Sequence, residues 1–391
     1  MKSFTLARDL RNLHRQALRE NRIDKFNDTV DALAKSKDLN PRSIQVNHLF
    51  EAIVPDGREL LESFNPFQKG GMQYGMPLLE GPHAVGLSSF TRITGSMIYN
   101  HVMEQWNNPA FIGDQLVTNL PSNLQEEVIP GVSDVGDVAE IVPEHGEYPS
   151  AGMTDYEVKL PRPEKRGFEL ALTKELVFLD RLGEVLTRAS NFTQSLRLNK
   201  EKRIIDAVFG ITNTYKRNDL AENTYTSSGV VNTKTSNALQ DWRSVEAAEL
   251  LFASMTDPDT GELIDVMPNT IVVPTALKHT ARYILSSTHI EEASGTHSGD
   301  TARTTTRSAS TLDDYSVLSS PLIKQRTSSD STWLIGDPKN SFVYVEHWPI
   351  SGEESPPGPD LFRLDIVGLW KYSERGVVGV TEKRRMVKNT Q

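Results

Sequence analysis

The sequence predicts an α+β fold on three observations. Residues 155–175, DYEVKLPRPEKRGFELALTKE, read as two strands with a break, because Tyr156, Val158 and Leu160, and then Phe168, Leu170 and Leu172, alternate with charged or small neighbours. Residues 173–209 hold the strongest helical pattern, with Leu182, Leu186, Ala189, Phe192, Leu196 and Ile204 on one face. The stretches YSVLSS, WLIGD, FVYVEHW and LFRLDIVGLWKY return the chain to strands near its C-terminus.

Taken in order, residues 1–60 read as polar helices. Leu6, Leu10, Leu13 and Leu18 mark one apolar stripe; Ile23, Phe26, Val30 and Leu33 mark a second. Residues 64–90 hold five Gly and three Pro and read as an extended, irregular arm, with a short helix to follow from about Thr94 to Glu104. Residues 127–172 form a strand-rich ribbon. In the helix after it, Thr173 caps a first turn and Asp180 a second. From Asp180 to Phe209 that helix would run about 45 Å. Residues 210–240 look loop-like, 241–255 form an amphipathic helix, TIVVP (270–274) is a short buried strand, and TALKHTARYIL is a helix. Residues 286–311 hold thirteen Ser/Thr and read as a mobile surface loop. The chain thus divides into 1–126, 127–172, 173–209, 210–330 and 331–391.

Bulk properties exclude several classes. The 391 residues are enough for a large core and more than one lobe. No apolar run approaches the roughly 18 residues that span a bilayer, and MKSFTLARDLRNLHRQ lacks the apolar centre of a signal peptide, so no membrane partner is expected. Cysteine is absent, which removes disulfides and thiol chemistry and suits a reducing cytoplasm. A net charge of −10 argues against a surface built to grip nucleic acid. The ends are locally basic: residues 1–40 carry nine Lys/Arg against six Asp/Glu, and the tail is EKRRMVKNTQ. Both ends read as solvated termini.

The chemistry-bearing motifs are missing. There is no His-Glu-x-x-His helix, no phosphate loop and no Gly-x-Ser-x-Gly elbow. DPDTGE (257–262) lacks the ligand spacing of a calcium loop and reads as a surface turn. His289, Glu291, Glu292, His297 and Asp300 sit in the Ser/Thr-rich stretch, which gives a metal no rigid shell. No catalytic residue, metal or cofactor is expected, although a triad assembled only in space leaves no trace in sequence.

The ribbon points outward. A compact globule of this length has an outer radius of roughly 27 Å. If the ribbon turns near Pro143–Met153, each arm of a dozen residues or more would reach some 40 Å. An isolated hairpin is marginal in water, so its apolar face needs a support beyond its own subunit. Residues 140–157 hold Glu140, Glu144, Glu147, Asp155 and Glu157 and no Lys or Arg, whereas 159–166 hold Lys159, Arg162, Lys165 and Arg166 against Glu164. An acidic tip and a basic base suit head-to-tail docking between identical copies. The alternative is a ribbon folded back on its own sheet, with its charges solvated.

The succession of an N-terminal arm, a long hairpin, a long helix, a mixed lobe and C-terminal strands resembles the major capsid protein of tailed bacteriophages, the Hong Kong 97-type fold. The stretches that carry the resemblance are GEYPSAGMTDYEVKLPRPEKRGFELALTKELVFLDRLGEVLTRA, NTIVVPTALKHTARYIL and WLIGDPKNSFVYVEHWPI with LFRLDIVGLWKYSERGVVGV, within roughly residues 90–391. The resemblance implies that 127–172 is the extended loop, 173–209 the spine helix of the peripheral domain, 210–330 mainly the axial domain, and 331–391 the C-terminal strands of both. It places Glu147 and Tyr148 near the loop tip, and Arg162, Lys165 and Arg166 in the shaft, near a neighbour's carboxylates; with Glu144 and Lys159 these are the candidate inter-subunit contacts. It also implies a non-enzymatic subunit that forms hexamers and pentamers of an icosahedral shell around double-stranded DNA, held without sequence-specific contacts. Portal and scaffold or cement proteins would be further partners, and the virion, assembled in the host cytoplasm, the location. Residues 1–85 depart from the simplest pattern and read as a retained arm under the shell. Some relatives join Lys to Asn between subunits; Lys159, Lys165, Asn340 and Asn389 are present, but nothing in their setting calls for a cross-link, and none is expected. The other readings are an encapsulin-type compartment, another virion part, and a hydrolase with a spatially assembled site.

Overall fold

The computed structural model describes residues 2–20, 22–35, 45–63, 82–107, 111–132, 155–257, 261, 263–264, 266–286, 290–293, 303–306, 315–356 and 364–391. In chain order the elements begin with α1 (Lys2–Arg19), α2 (Ile23–Lys35), α3 (Val46–Ile53), α4 (Gly57–Ser63), α5 (Pro82–Trp106) and α6 (Gly113–Leu116). Strands β1 (Thr118–Pro121), β2 (Val128–Val132), β3 (Asp155–Lys159) and β4 (Glu164–Thr173) precede α7 (Lys174–Phe178) and the long α8 (Leu182–Val208). Then come β5 (Lys216–Arg217), β6 (Leu220–Ala221), β7 (Thr233–Lys234), α9 (Trp242–Ala253), β8 (Thr270–Pro274) and α10 (Lys278–Ser286). The remainder is β9 (Ile290–Ala293), β10 (Arg303–Thr306), β11 (Ser316–Ser320), α11 (Pro321–Thr327), β12 (Trp333–Gly336), α12 (Pro338–Ser341), β13 (Phe342–Glu354), β14 (Ile366–Val380) and β15 (Met386–Asn389). Mixed helices and sheets confirm the α+β class.

The chain forms two compact units. The first comprises Met1–Asn108, Lys165–Leu198 and Trp348–Glu374. Its core joins Leu10, Phe50, Phe90, Ile93, Met97, Leu172, Val185, Ala189 and Trp370, all nearly inaccessible. Helix α5 runs from Pro82, well before the expected Thr94. Pro82 suits a first helical position, and burial of Phe90 and Ile93 outweighs the poor propensity of a Gly- and Ser-containing start. Gly95 permits close packing, because a Cβ there would come within 2.6 Å of Trp370 Nε1. On α8, Val185, Leu186, Ala189 and Leu196 are buried as the helical period requires. Phe192, expected in the same core, is 45% exposed and stacks on Phe168 with ring centroids 5.4 Å apart.

Neither expected cap serves that helix. Thr173 precedes α7 without a side-chain cap bond, and Asp180 adopts a left-handed φ of 52°. The Asp180 carboxylate accepts instead from the backbone N–H of Val46 at 2.7 Å, the first residue of α3. It therefore caps a helix 134 positions away.

On α1 the buried face is Leu10, His14 and Ala17, while Leu13 is 39% exposed. The His14 ring packs edge-on to Phe26 at 5.1 Å, and its Nε2 is buried without a hydrogen-bond partner. Burial lowers the His14 pKa below the usual 6.5. The unfolded chain then binds the proton more readily than the folded one. The stability from this packing is fully present above the unfolded value and declines as pH falls below it. Thermal unfolding at pH 7.5 and 5.5 should show a destabilisation of the native protein in acid that His14→Leu lacks; parallel pH trends in the two would contradict it.

The second unit comprises Pro109–Glu164, Asn199–His347 and Arg375–Gln391. Its five-stranded sheet has the order β11-β8-β12-β15-β7. Strand β8 pairs parallel with β11 and antiparallel with β12. Alternate residues feed two cores. Ile271, Val273, Trp333, Ile335 and Val387 meet α9 and α10; Val272, Leu334 and Met386 meet Ile204, Ile205 and Val208 of α8 and Phe209 just beyond it. Two covered faces explain why Ile271, Val272 and Val273 are apolar without alternation.

Two expectations fail in this unit. The C-terminal tail is no solvated terminus: β15 lies between β12 and β7, with Met386 and Val387 at 0% exposure. Lys383, Arg384 and Arg385 precede this short strand and Lys388 lies within it, and composition averaged over ten residues hides that. Within the Ser/Thr-rich stretch, β9 and β10 form an antiparallel ladder from Arg303↔Ala293 to Thr306↔Ile290. Threonine suits strands as well as loops.

Candidate functional site

The described part of the ribbon is its base. Strands β2 and β3 pair antiparallel from Val128↔Lys159 to Val132↔Asp155. The other edge of β3 takes β5 at Val158↔Arg217, and β6 completes the sheet order β2-β3-β5-β6. The base thus rests on a sheet of its own unit. Strand β4, read from sequence as part of the same ribbon, is the ladder neighbour of β14. Pro161 and Pro163 offer no N–H and separate the two strands. Residues 133–154, which include Glu144, Glu147 and Tyr148, lie outside the described residues.

A tight turn anchors the base. Asn218 and Asp219, between β5 and β6, have φ of 48° and 63°, the positive pair that closes a two-residue hairpin. The Glu157 N–H donates to Asn218 Oδ1 at 2.9 Å, and the Asn218 N–H donates to the Glu157 carbonyl at 2.9 Å. Lys159 Nζ lies 2.6 Å from Asp219 Oδ1 and 3.3 Å from Glu157 Oε1. Asp219 first, and then Glu157, holds its ammonium pKa above the usual value. The Arg217 guanidinium sits 4.3 Å over the Tyr156 ring. The sequence reads 210–240 only as loop-like, and neither this turn nor its grip on β3 was legible there.

The expected basic shaft is therefore partly self-neutralised. Lys159 is paired as above, and Arg162 Nε meets Glu126 Oε1 at 2.7 Å. Lys165 is exposed on β4 and, after Lys371, helps hold the Glu353 carboxyl below its usual pKa. Arg166 is half-buried on the same strand. Asn218→Ala should cost about 1–2 kcal/mol locally, through the lost bond and the left-handed φ. Hydrogen exchange at residues 155–159 should speed up while β8 stays protected, and unchanged exchange would remove the anchoring role.

Ser190 Oγ lies 2.7 Å from His101 Nε2, and His101 Nδ1 lies 4.0 Å from Glu104 Oε2. Ser190 and His101 both sit inside helices, whose N–H groups are already bonded, so nothing is aimed at a developing oxyanion. A cleft of about 350 Å³ in the second unit is lined by Tyr215, Arg217, Glu222, Thr226, Lys383 and Arg384, among others, and by no histidine. Its charges are paired: Arg384 Nη2 with Glu382 Oε2 at 2.6 Å, Arg384 Nη1 with Asp257 Oδ2 at 3.2 Å, and Lys383 with Glu222. Burial pushes the Tyr215 phenol further up, away from any acid–base role near neutrality. Asp257, read as part of a surface turn, is 3% exposed. Among the described residues no group of three or more His, Asp or Glu could hold a metal, and no helix is long and apolar enough to cross a membrane. His289, His297 and Asp300 lie outside the described residues.

Residues 156–389 match the family described as phage capsid protein. That is more than half of the chain, and the chain belongs to this family. No curated protein matches it. Among solved structures it is similar to a chain from Gordonia phage Cozz, at 13% identity and a TM-score of 0.43, over 72% of this chain and 86% of that one. The capsid structure of the cyanophage P-SCSP1u gives 10% identity and a TM-score of 0.45, over 72% and 88%. A virus-like particle from Pyrococcus furiosus gives 9% and 0.41, over 75% and 97%. The family assignment rests on the sequence match.

Proposed function

We propose that this chain is the major shell subunit of a tailed-phage head. It assembles with copies of itself into hexamers and pentamers of an icosahedral shell around double-stranded DNA, as a non-catalytic part of the virion, put together in the host cytoplasm with portal and scaffold or cement proteins. The observation that carries this reading is the family match over residues 156–389. The ribbon supports it: a base anchored by Asn218 and Asp219 gives the segment beyond β2 and β3 a fixed origin from which to reach a neighbour. In this reading Glu144, Glu147 and Tyr148 meet the adjacent subunit, and Arg162, Lys165 and Arg166 receive acids from another. Residues 127–172 are the extended loop, and α8 runs as the spine.

The content of the particle tests it. Particles built from this chain in an infected or induced culture should hold nuclease-resistant double-stranded DNA, with this chain the most abundant protein by mass spectrometry. Particles holding a cargo enzyme and no DNA would replace the phage head with an encapsulin-type compartment.

A further inference from the structure

Arg11, Arg15 and Arg19 of α1 are all exposed. At 3.6 residues per turn they fall within about 80° of arc, roughly 130° from the centre of the buried Leu10–His14–Ala17 face. Acids are kept off this stripe. Asp9 and Glu20 fall roughly 130° round on the other flank, and Glu20 is engaged by the Gln16 amide at 3.0 Å. Among the described residues no carboxylate lies within 4.0 Å of any of the three guanidinium groups. The helix is docked on α2 and α3 through its apolar face, so the stripe points away from that packing.

We infer that this stripe is the surface through which the subunit meets the phosphate backbone of duplex DNA. The inference rests on the shell reading and names its nucleic-acid contact. Two observations favour phosphate over an acidic protein. The three backbone positions step ~6 Å apart along ~12 Å of helix, a straight basic row as long as a few phosphates of one strand. A protein interface draws its energy from buried apolar or aromatic anchors, and the stripe has none: the exposed Leu13 lies on another flank. The chain's net charge of −10 opposes DNA as a whole, which makes the contact weak, sequence-independent and steep in salt. That suits a lining that must let its DNA go.

The test is fluorescence anisotropy of a labelled random-sequence 24-base-pair duplex with the full-length protein, from 50 to 200 mM KCl. Each phosphate contact adds about −0.9 to the slope of log K against log salt. The triple variant R11Q/R15Q/R19Q should bind more weakly at 50 mM and lose about 2.7 of slope. Over this salt range the native protein should lose about 40-fold more affinity than the variant. Replacing all three by Lys should keep the slope. Equal slopes for the native protein and the Gln variant, or no native binding at 50 mM, would overturn the inference. So would displacement of the duplex by polyglutamate at charge equivalence when unlabelled duplex fails, which would give the stripe to an acidic protein. Assembly, followed separately by sedimentation, should be unchanged in the Gln variant; its loss in the native protein would count against the shell reading instead.

Discussion

Reversing Arg162, Lys165 and Arg166 to Glu together should leave a folded subunit that no longer forms closed particles. Folding is spared because these side chains are surface or half-buried, and such pairs are worth under about 1 kcal/mol each. Assembly suffers because a shell repeats every interface many times, so a small loss per contact is multiplied. The Arg162–Glu126 pair, at 2.7 Å within one chain, supplies a control. If Arg162 serves only to hold Glu126, then R162E with E126K restores the pair and restores particles. If Arg162 faces a neighbour, the swap leaves assembly impaired. Circular dichroism and sedimentation of the three proteins decide between these, and normal particles from the triple reversal would remove the docking claim.

The largest expected effect on stability lies at Glu201. This residue of α8 is 1% exposed. Its Oε1 accepts from the N–H groups of Ile112 and Gly113, each at 3.1 Å, and its Oε2 accepts from Gly113 at 2.8 Å. Beside it Lys200, 3% exposed, lies 3.6 Å from Asp114 and 4.2 Å over the Tyr344 ring. Glu201→Ala leaves two backbone donors buried without an acceptor and opens a cavity. The cost should be roughly 3 kcal/mol, a fall of about 4 °C in Tm for a chain of this length. Gly113→Ala should destabilise the same spot, since its methyl would meet the Glu201 carboxylate and come within 2.8 Å of Ile204 Cδ1. The two share one contact, so the double variant should lose less than the sum. A Tm for Glu201→Ala within 2 °C of the native value would show that the carboxylate carries no structural weight.

Elements with a strong period were legible from sequence. TIVVP at 270–274 is β8, and the helix expected over 241–255 is α9, capped by Asp241, which accepts from the Ser244 N–H. The expectations that failed did so where a partner distant in sequence decides the outcome. Asp180 caps α3 and not its own helix, its carboxylate accepting from the Val46 N–H 134 positions away. The basic tail is held by strands on both sides. The ribbon's second half joins β14. Of the candidate contact residues, Lys159 and Arg162 looked available for a neighbour because Asp219 and Glu126 lie 60 and 36 positions away, beyond any local pattern. The approach of Ser190 Oγ to His101 Nε2 within 2.7 Å likewise has no trace in spacing.

The most direct measurement is sedimentation velocity with negative-stain microscopy on the full-length protein expressed alone. Closed shells, tubes or capsomer rings built from this chain are the expected result. A protein that stays a uniform monomer across salt, pH and concentration would contradict the central claim that this chain forms a shell.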